Sequence, residues 1–195
     1  MKVHLPDDRP RVSIVLSDGA EGILSPLQED DRALLIAGLD ELSVQSRFQR
    51  FGQGRSRLSE SELDYLSFID QRNHVAWVAA IGDEGAGVGR YIRLDEPECA
   101  EIAVTVLDRF QSRGLGSLLF EALSSVARAD GVSEFCFEVV PGNLAAERMI
   151  DGLDVVLDES DSALLGRVGL GDIPISPHHD EFVALMARVR GGPAP

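Results

Sequence analysis

Basic residues are scarce in this chain: 18 Lys+Arg stand against 33 Asp+Glu, a formal charge of −15 at pH 7. Duplex nucleic acid is not an expected partner, because affinity for it rests on neutralising phosphates. Anionic membrane surfaces are disfavoured for the same reason. Cysteine is nearly absent. Cys99 and Cys136 are too few for a disulfide framework and sit in apolar runs, which reads as two buried thiols in a reducing compartment. No apolar run reaches the roughly 18 residues of a membrane span. Met1 to Pro10 carries no apolar segment after its lysine, so no secretory signal is expected. These absences predict a cytoplasmic protein. The histidines form no metal set either. His178-His179-Asp180 lacks the His-Glu-x-x-His spacing and a further cluster, so it reads as a solvated helix start, and no metal is expected. No serine sits in a Gly-x-Ser-x-Gly elbow.

What remains is an ordinary globular composition, 44% hydrophobic and 26% charged over 195 residues. A chain of this length fits one domain and buries roughly two thirds of its unfolded surface. Residues 1–10 read as an irregular arm, 11–171 as the domain, and 172–195 as a turn-rich tail with a short helix over Phe182 to Val189. Val12 to Leu16 and Gly22 to Gln28 are extended candidates, the latter limited by Pro26. Helices are predicted from Glu29 to Leu42, from a Ser43 cap to Phe51, and after the capping box Ser59-Glu-Ser-Glu62. His74 to Ile81 is a buried strand, Gly82 to Gly85 its turn, and Val88 to Leu94 its partner. The glycines at 85, 87 and 89 read as turn and strand-twist residues. Glu101 to Leu107 is a third strand. Gly116 to Asp130 is the strongest helix, stopped by Gly131. Phe135 to Val140, a short helix over Asn143 to Ile150, and strands at Val155 to Leu157 and Ala163 to Val168 follow. The pattern is α+β, with a central mixed, mostly antiparallel sheet flanked by helices.

Chemistry concentrates where the third strand turns into the strongest helix, at Gln111-Ser-Arg-Gly-Leu-Gly116. Two glycines there let backbone wrap closely around a ligand. The free N–H groups of the first helical turn, with the positive end of the helix dipole, favour an anion. Arg113 adds a charge suited to phosphate oxygens. The loop lacks the lysine of a Walker A motif and is not a dinucleotide fingerprint.

This segment resembles the Gln/Arg-x-x-Gly-x-Gly/Ala signature of the GCN5-related N-acetyltransferases, and the order of elements from about Gly22 to Val168 agrees with that family. The resemblance implies the acyl-CoA N-acyltransferase fold. It implies that Gln111, Ser112, Arg113, Gly114, Leu115, Gly116 and Ser117 hold the pyrophosphate of acetyl-CoA as co-substrate. It further implies that the backbone of Val104, Thr105 and Val106 pairs with the pantetheine arm. Ala100-Glu101-Ile102 resembles the Ala-Glu-Ile whose glutamate is the general base, and Asn143-Leu-Ala-Ala146 resembles the Asn-x-x-Ala beside the cofactor thiol, placing Asn143 and Ala146 at the site. Many members carry a tyrosine seven residues after that asparagine; here the position is Ile150. Glu41 to Phe51, Leu58 to Leu63 and His74-Val-Ala look like the acetyltransferase domain of bacterial protein-lysine acetyltransferases.

The expected function is acetyl transfer from acetyl-CoA to an amine, a protein lysine or a small molecule, with Glu101 as general base. Burial in its apolar strand would raise the Glu101 pKa toward neutrality. Glu138, on the neighbouring strand, is the rival base. The alternative reading is a non-catalytic acyl-CoA-binding regulatory or scaffold module. His74 reads as a satisfied strand-start histidine, and Arg47, Arg50, Arg55 and Arg57 as a solvated face that could line an entrance. The acceptor and the oligomeric state stay open, a homodimer among the options.

Overall fold

Apolar alternation and turn residues along the chain produce eight strands. The computed structural model describes residues 8–51, 59–95, 98–159 and 163–191. The strands are β1 (Val12–Val15), β2 (Glu21–Pro26), β3 (His74–Ile81), β4 (Glu84–Arg93), β5 (Cys99–Val106), β6 (Glu134–Val139), β7 (Val155–Glu159) and β8 (Leu164–Gly169). The helices are α1 (Arg32–Glu41), α2 (Val44–Phe51), α3 (Glu60–Ser67), α4 (Leu115–Ala129), α5 (Leu144–Ile150) and α6 (His179–Val189). All strands join one sheet in the order β1-β2-β3-β4-β5-β6-β8-β7. Neighbours are antiparallel except β5 and β6, which run parallel because α4 carries the chain back across the sheet. This is the expected α+β architecture.

Local signals set the helix starts. Ser59 and Glu62 form the reciprocal capping box of α3. Ser43 Oγ accepts the Ser46 N–H at 3.1 Å and caps α2. Asn143 Oδ1 accepts the Ala146 N–H at 3.2 Å and caps α5.

The main core lies between the sheet and α4, whose buried stripe includes Leu119, Leu123 and Val126. The region expected as a tail contributes to that core. Helix α6 begins at His179, three residues earlier than predicted, and buries Phe182, Leu185 and Met186. Phe182 meets Trp77 edge-on, ring centroids 5.4 Å apart. Arg190 grips the Asp130 carboxylate through both terminal nitrogens, and Tyr91 donates to the same group. At the other end of the chain, Arg9 is buried and bonds Asp31, Ser25 and the Pro26 carbonyl, so the end of the expected arm is held to the sheet.

The β3–β4 hairpin forms as expected, but β4 begins at Glu84 and not at Val88, so Gly85 and Gly87 also lie within it, beside a register shift at Ala79/Ala80. For Gly87 and Gly89 the reason is packing. A Cβ at Gly87 would sit 2.8 Å from the Thr105 carbonyl oxygen, and one at Gly89 would sit 2.9 Å from a Leu123 methyl of α4.

Candidate active site

Strands β5 and β6 pair only through Cys99↔Glu134, Ala100↔Phe135 and Glu101↔Cys136, although β5 continues to Val106 and β6 to Val139. Beyond Glu101 they part and leave a wedge between them. The Leu107 N–H donates to Ala86 on the β4 side at 2.9 Å, while Ser133 and Glu134 donate to the Glu98 carbonyl on the β6 side. Alternation along β5 therefore turns the backbone groups of Ile102, Val104 and Val106 toward the wedge, unpaired by β6. Side chains alternate too. Val104 and Val106 lie toward α4, whereas Glu101, Ala103 and Thr105 lie on the opposite face, under α1 and α2.

A cleft of about 840 Å³ follows the wedge. It is bounded by Glu101 to Val106, by the loop before α4, by Phe137 to Val140, by α5 and by Arg50 and neighbouring residues of α2. Of the residues expected at a site, Glu101, Val104, Thr105, Val106, Gln111, Ser112, Gly114, Gly116, Ser117, Asn143 and Ala146 line this one cleft.

The loop has the backbone of an anion cradle. Ser112 and Gly114 adopt left-handed conformations, φ +59° and +85°, a turn geometry that points successive N–H groups inward. Gly114 precedes the first residue of α4, and the Leu118 N–H is the first to bond a helical acceptor, Gly114 O at 3.1 Å. The N–H groups of Leu115, Gly116 and Ser117 are thus free of helical partners, at the positive end of the dipole. A Cβ on Gly116 would lie 3.3 Å from Met149, so a side chain there would push into α5. Gln111 Nε2 donates to the Val106 carbonyl at 3.0 Å, and Asp108 accepts from Ser43 and Ser46, tying α2 to the loop. Burial opposes ionisation of Asp108, but the hydrogen bonds from Ser43 and Ser46 outweigh it and hold that carboxyl below its usual range.

Two expectations about the loop change. The Arg113 guanidinium bonds Asp18 at 2.7 Å, stacks on Phe110 and does not line the cleft. With the Ser17 N–H donating to the Arg113 carbonyl, this fastens the loop to the β1–β2 turn. Leu115 is 1% exposed, in the core, and does not line the cleft.

Glu101 also differs from expectation. Its neighbours Ala100 and Ile102 are buried, yet Glu101 is exposed, so the burial argument for its basicity fails. The pleat puts its carboxylate on the face that carries Arg50, and the two attract one another. Glu138, also exposed, lines the same cleft. Ile150 lines it where a tyrosine was absent from sequence. Neither tyrosine of the chain does: Tyr91 is buried against Asp130 and Tyr65 lies beside His74.

Sequence reasoning missed Arg90. It lies on β4 opposite Ala103, buried, and donates to the Leu66 carbonyl at 3.1 Å. His74 Nε2 is 3.3 Å from it, and burial with the Arg90 charge pushes the His74 pKa down to about 4. His74 is therefore neutral at pH 7 and accepts from Arg90. Its place in an apolar strand signalled burial; nothing in the sequence signalled its pairing with a buried arginine. Arg47 bonds the Leu42 and Asp40 carbonyls, and Arg55 and Arg57 lie outside the described residues. Among the described residues no group of His, Cys, Asp and Glu could hold a metal ion, and no helix is long and apolar enough to cross a membrane.

The chain belongs to an acyltransferase family: residues 39–152 match the acetyltransferase (GNAT) family. An acetyltransferase of Pseudomonas aeruginosa is 34% identical over 120 residues, 60% of this chain and 64% of that protein. The acetyltransferase Pat of Mycolicibacterium smegmatis is 29% identical over 164 residues, 82% of this chain and 49% of that protein. This chain therefore spans between about half and two thirds of the length of these relatives. The crystal structure of the GNAT domain of S. lividans PAT superimposes with a TM-score of 0.76 at 26% identity, covering 85% of this chain and 99% of that domain.

Proposed function

We propose that this chain transfers the acetyl group of acetyl-CoA to an amine by direct attack in a ternary complex. One observation carries the reading: the backbone of Val104 and Val106 that β6 leaves unpaired and the helix-start N–H groups of Gly116 and Ser117 lie along the same cleft as Glu101. Pyrophosphate belongs at the helix end, where N–H groups and dipole act together. The pantetheine arm belongs along β5, taking the place of the strand that β6 vacates. A β5 amide then polarises the thioester carbonyl. Glu101 takes a proton from the ammonium, the freed nitrogen attacks the carbonyl carbon, and the carbon–sulfur bond breaks. The thiolate takes its proton from water or from the protonated nitrogen of the tetrahedral adduct, since Ile150 offers none. The family membership, the relatives named as acetyltransferases and a fold neighbour described with its cofactor acetyl-CoA support this reading.

Absence of a tyrosine from the cleft favours a second reading, a CoA-binding module without turnover. The two separate in one experiment. CoA should raise the melting temperature, because it binds only the native state, and acetyl-CoA with a panel of amines should release thiol. Gly114→Val, strained at φ +85°, should stay folded and lose the CoA shift. A shift without thiol release from any amine supports the module. An unchanged shift in folded Gly114→Val removes the loop from the account.

A further inference from the structure

Beside the cleft, under α1, lies a cavity of about 80 Å³. Its walls are largely aliphatic, from Leu34, Leu35, Leu39, Leu66, Val78 and Val88, yet Arg50 and Arg90 line it as well. Arg50, Ala103 and Thr105 border both the cavity and the cleft, so the two spaces meet on the Glu101 face of β5.

The two arginines are not explained by the fold. Arg90 is 5% exposed, and its partners are one carbonyl and a neutral histidine. Among the described residues no carboxylate pairs with it. Arg50 makes no hydrogen bond to any described residue; it stacks on Phe51 and is attracted by Glu101. Burial, with repulsion from Arg50, brings the Arg90 pKa down to about 10. Buried cations are ordinarily paired with an anion, because an uncompensated one is costly. Among the described residues no anion is paired with either arginine: Glu41, which also borders the cavity, bonds Arg109 instead. The forked donors of arginine fit a carboxylate.

We propose that the acceptor is a free amino acid with an aliphatic side chain: its ammonium at Glu101, its carboxylate on Arg50 and Arg90, its side chain in the cavity under α1. This rests on the acetyl-transfer reading above and names the substrate of that same site. The cavity is about half the roughly 150 Å³ that holds benzene, so it takes a branched aliphatic group and not an aromatic ring. The reaction forms an amide bond at the amino nitrogen and breaks the thioester carbon–sulfur bond. The ammonium gives one proton to Glu101 before it attacks; a second leaves the nitrogen as the tetrahedral adduct collapses and ends on the sulfur, so CoA leaves as its thiol. The carboxylate is untouched and serves only as the handle.

The test uses the full chain with acetyl-CoA and compares L-leucine, L-leucinamide, 3-methylbutylamine, L-phenylalanine and an Nα-blocked, C-amidated lysine peptide. Leucine should exceed leucinamide and 3-methylbutylamine by at least about 10-fold in kcat/KM, the scale of a lost hydrogen bond to charge. Leucine should also raise the melting temperature of the CoA-bound protein, and leucinamide should not. Arg50→Gln and Arg90→Met should each raise the KM for leucine and narrow the leucine–leucinamide gap, with the KM for acetyl-CoA unchanged. Arg50 is half-buried on α2, so that variant keeps the test open if Arg90→Met fails to fold. Equal turnover of leucine and leucinamide, or a lysine peptide preferred over leucine, overturns the proposal and leaves acetyl transfer standing. No thiol release from any amine, with no CoA shift, overturns both.

Discussion

At the residue scale, the buried histidine of β3 supplies a measurable signature. His74 is neutral because burial and the Arg90 charge hold its pKa near 4, against an ordinary value of 6.5. Its folded-state pKa is depressed, so the unfolded chain binds the extra proton between those values. The stability it contributes is fully present above about pH 6.5 and is lost as the pH falls toward 4, on the order of 3 kcal/mol in all. Urea unfolding of wild type and His74→Gln at pH 7.5 and pH 4.5 should show wild type losing more than the variant over that interval. Equal losses would mean that His74 is not held neutral. Individual residues are also where sequence reading was weakest. Arg113 stands next to two glycines in a phosphate-type loop, yet Asp18, 95 positions away in the chain, takes its guanidinium. Glu101 sits among apolar neighbours, yet the pleat turns it outward. Arg90 gave no signal at all. Each depends on a partner distant in sequence, which local pattern does not encode.

At the scale of elements, glycines in β4 let α4 approach the sheet closely. Helix α4 carries the N–H groups that the proposed cofactor would use, so its seating matters to function as well as to stability. A Cβ on Gly87 would lie 2.8 Å from the backbone oxygen of Thr105, which cannot swing aside as a side chain could. Gly87→Ala should therefore cost about 1–3 kcal/mol of stability, read from urea unfolding, and weaken the CoA-induced thermal shift. Gly82→Ala serves as the comparison: no atom lies near its Cβ, but its φ of +56° carries a conformational cost alone. A Gly87→Ala protein as stable as wild type would contradict the close-packing account. Most elements were legible because their signals are local: the period-3.6 stripe of α4, the apolar run of β3, the capping box of α3 and the Asn143 cap of α5. The start of β4 and the first turn of α6 were not. Gly85 and Gly87 fall before the expected strand start at Val88, and nothing local shows that the strand runs back through them. His179-Asp180-Glu181 is too polar to show an apolar face.

Across the whole molecule, one parallel pair in an otherwise antiparallel sheet accounts for the site. The crossover through α4 makes β5 and β6 parallel, their early divergence opens the cleft, and the pleat gives it two faces. On the α4 side lie the cradle and the vacated strand edge; on the other lie Glu101, Arg50 and the cavity under α1. In the proposed reaction a donor and an acceptor would meet across β5 without a covalent enzyme intermediate. The order of elements in the sequence was enough to expect the mixed sheet, whereas the second face, with its buried cations, emerged only from the packing. The central claim is that Glu101 removes a proton at the meeting point. An ammonium group near pKa 10 cannot attack until that proton leaves, and loss of a positioned base typically costs 10²–10⁴ in rate. The measurement is thiol release by Glu101→Gln across pH 6 to 9, with CoA affinity determined on the same preparation. The account predicts near-normal CoA binding, turnover at pH 7 down by about 10² or more, and partial recovery as rising pH supplies free amine. Unaltered turnover with an unaltered pH profile would contradict it and shift the role of base to Glu138.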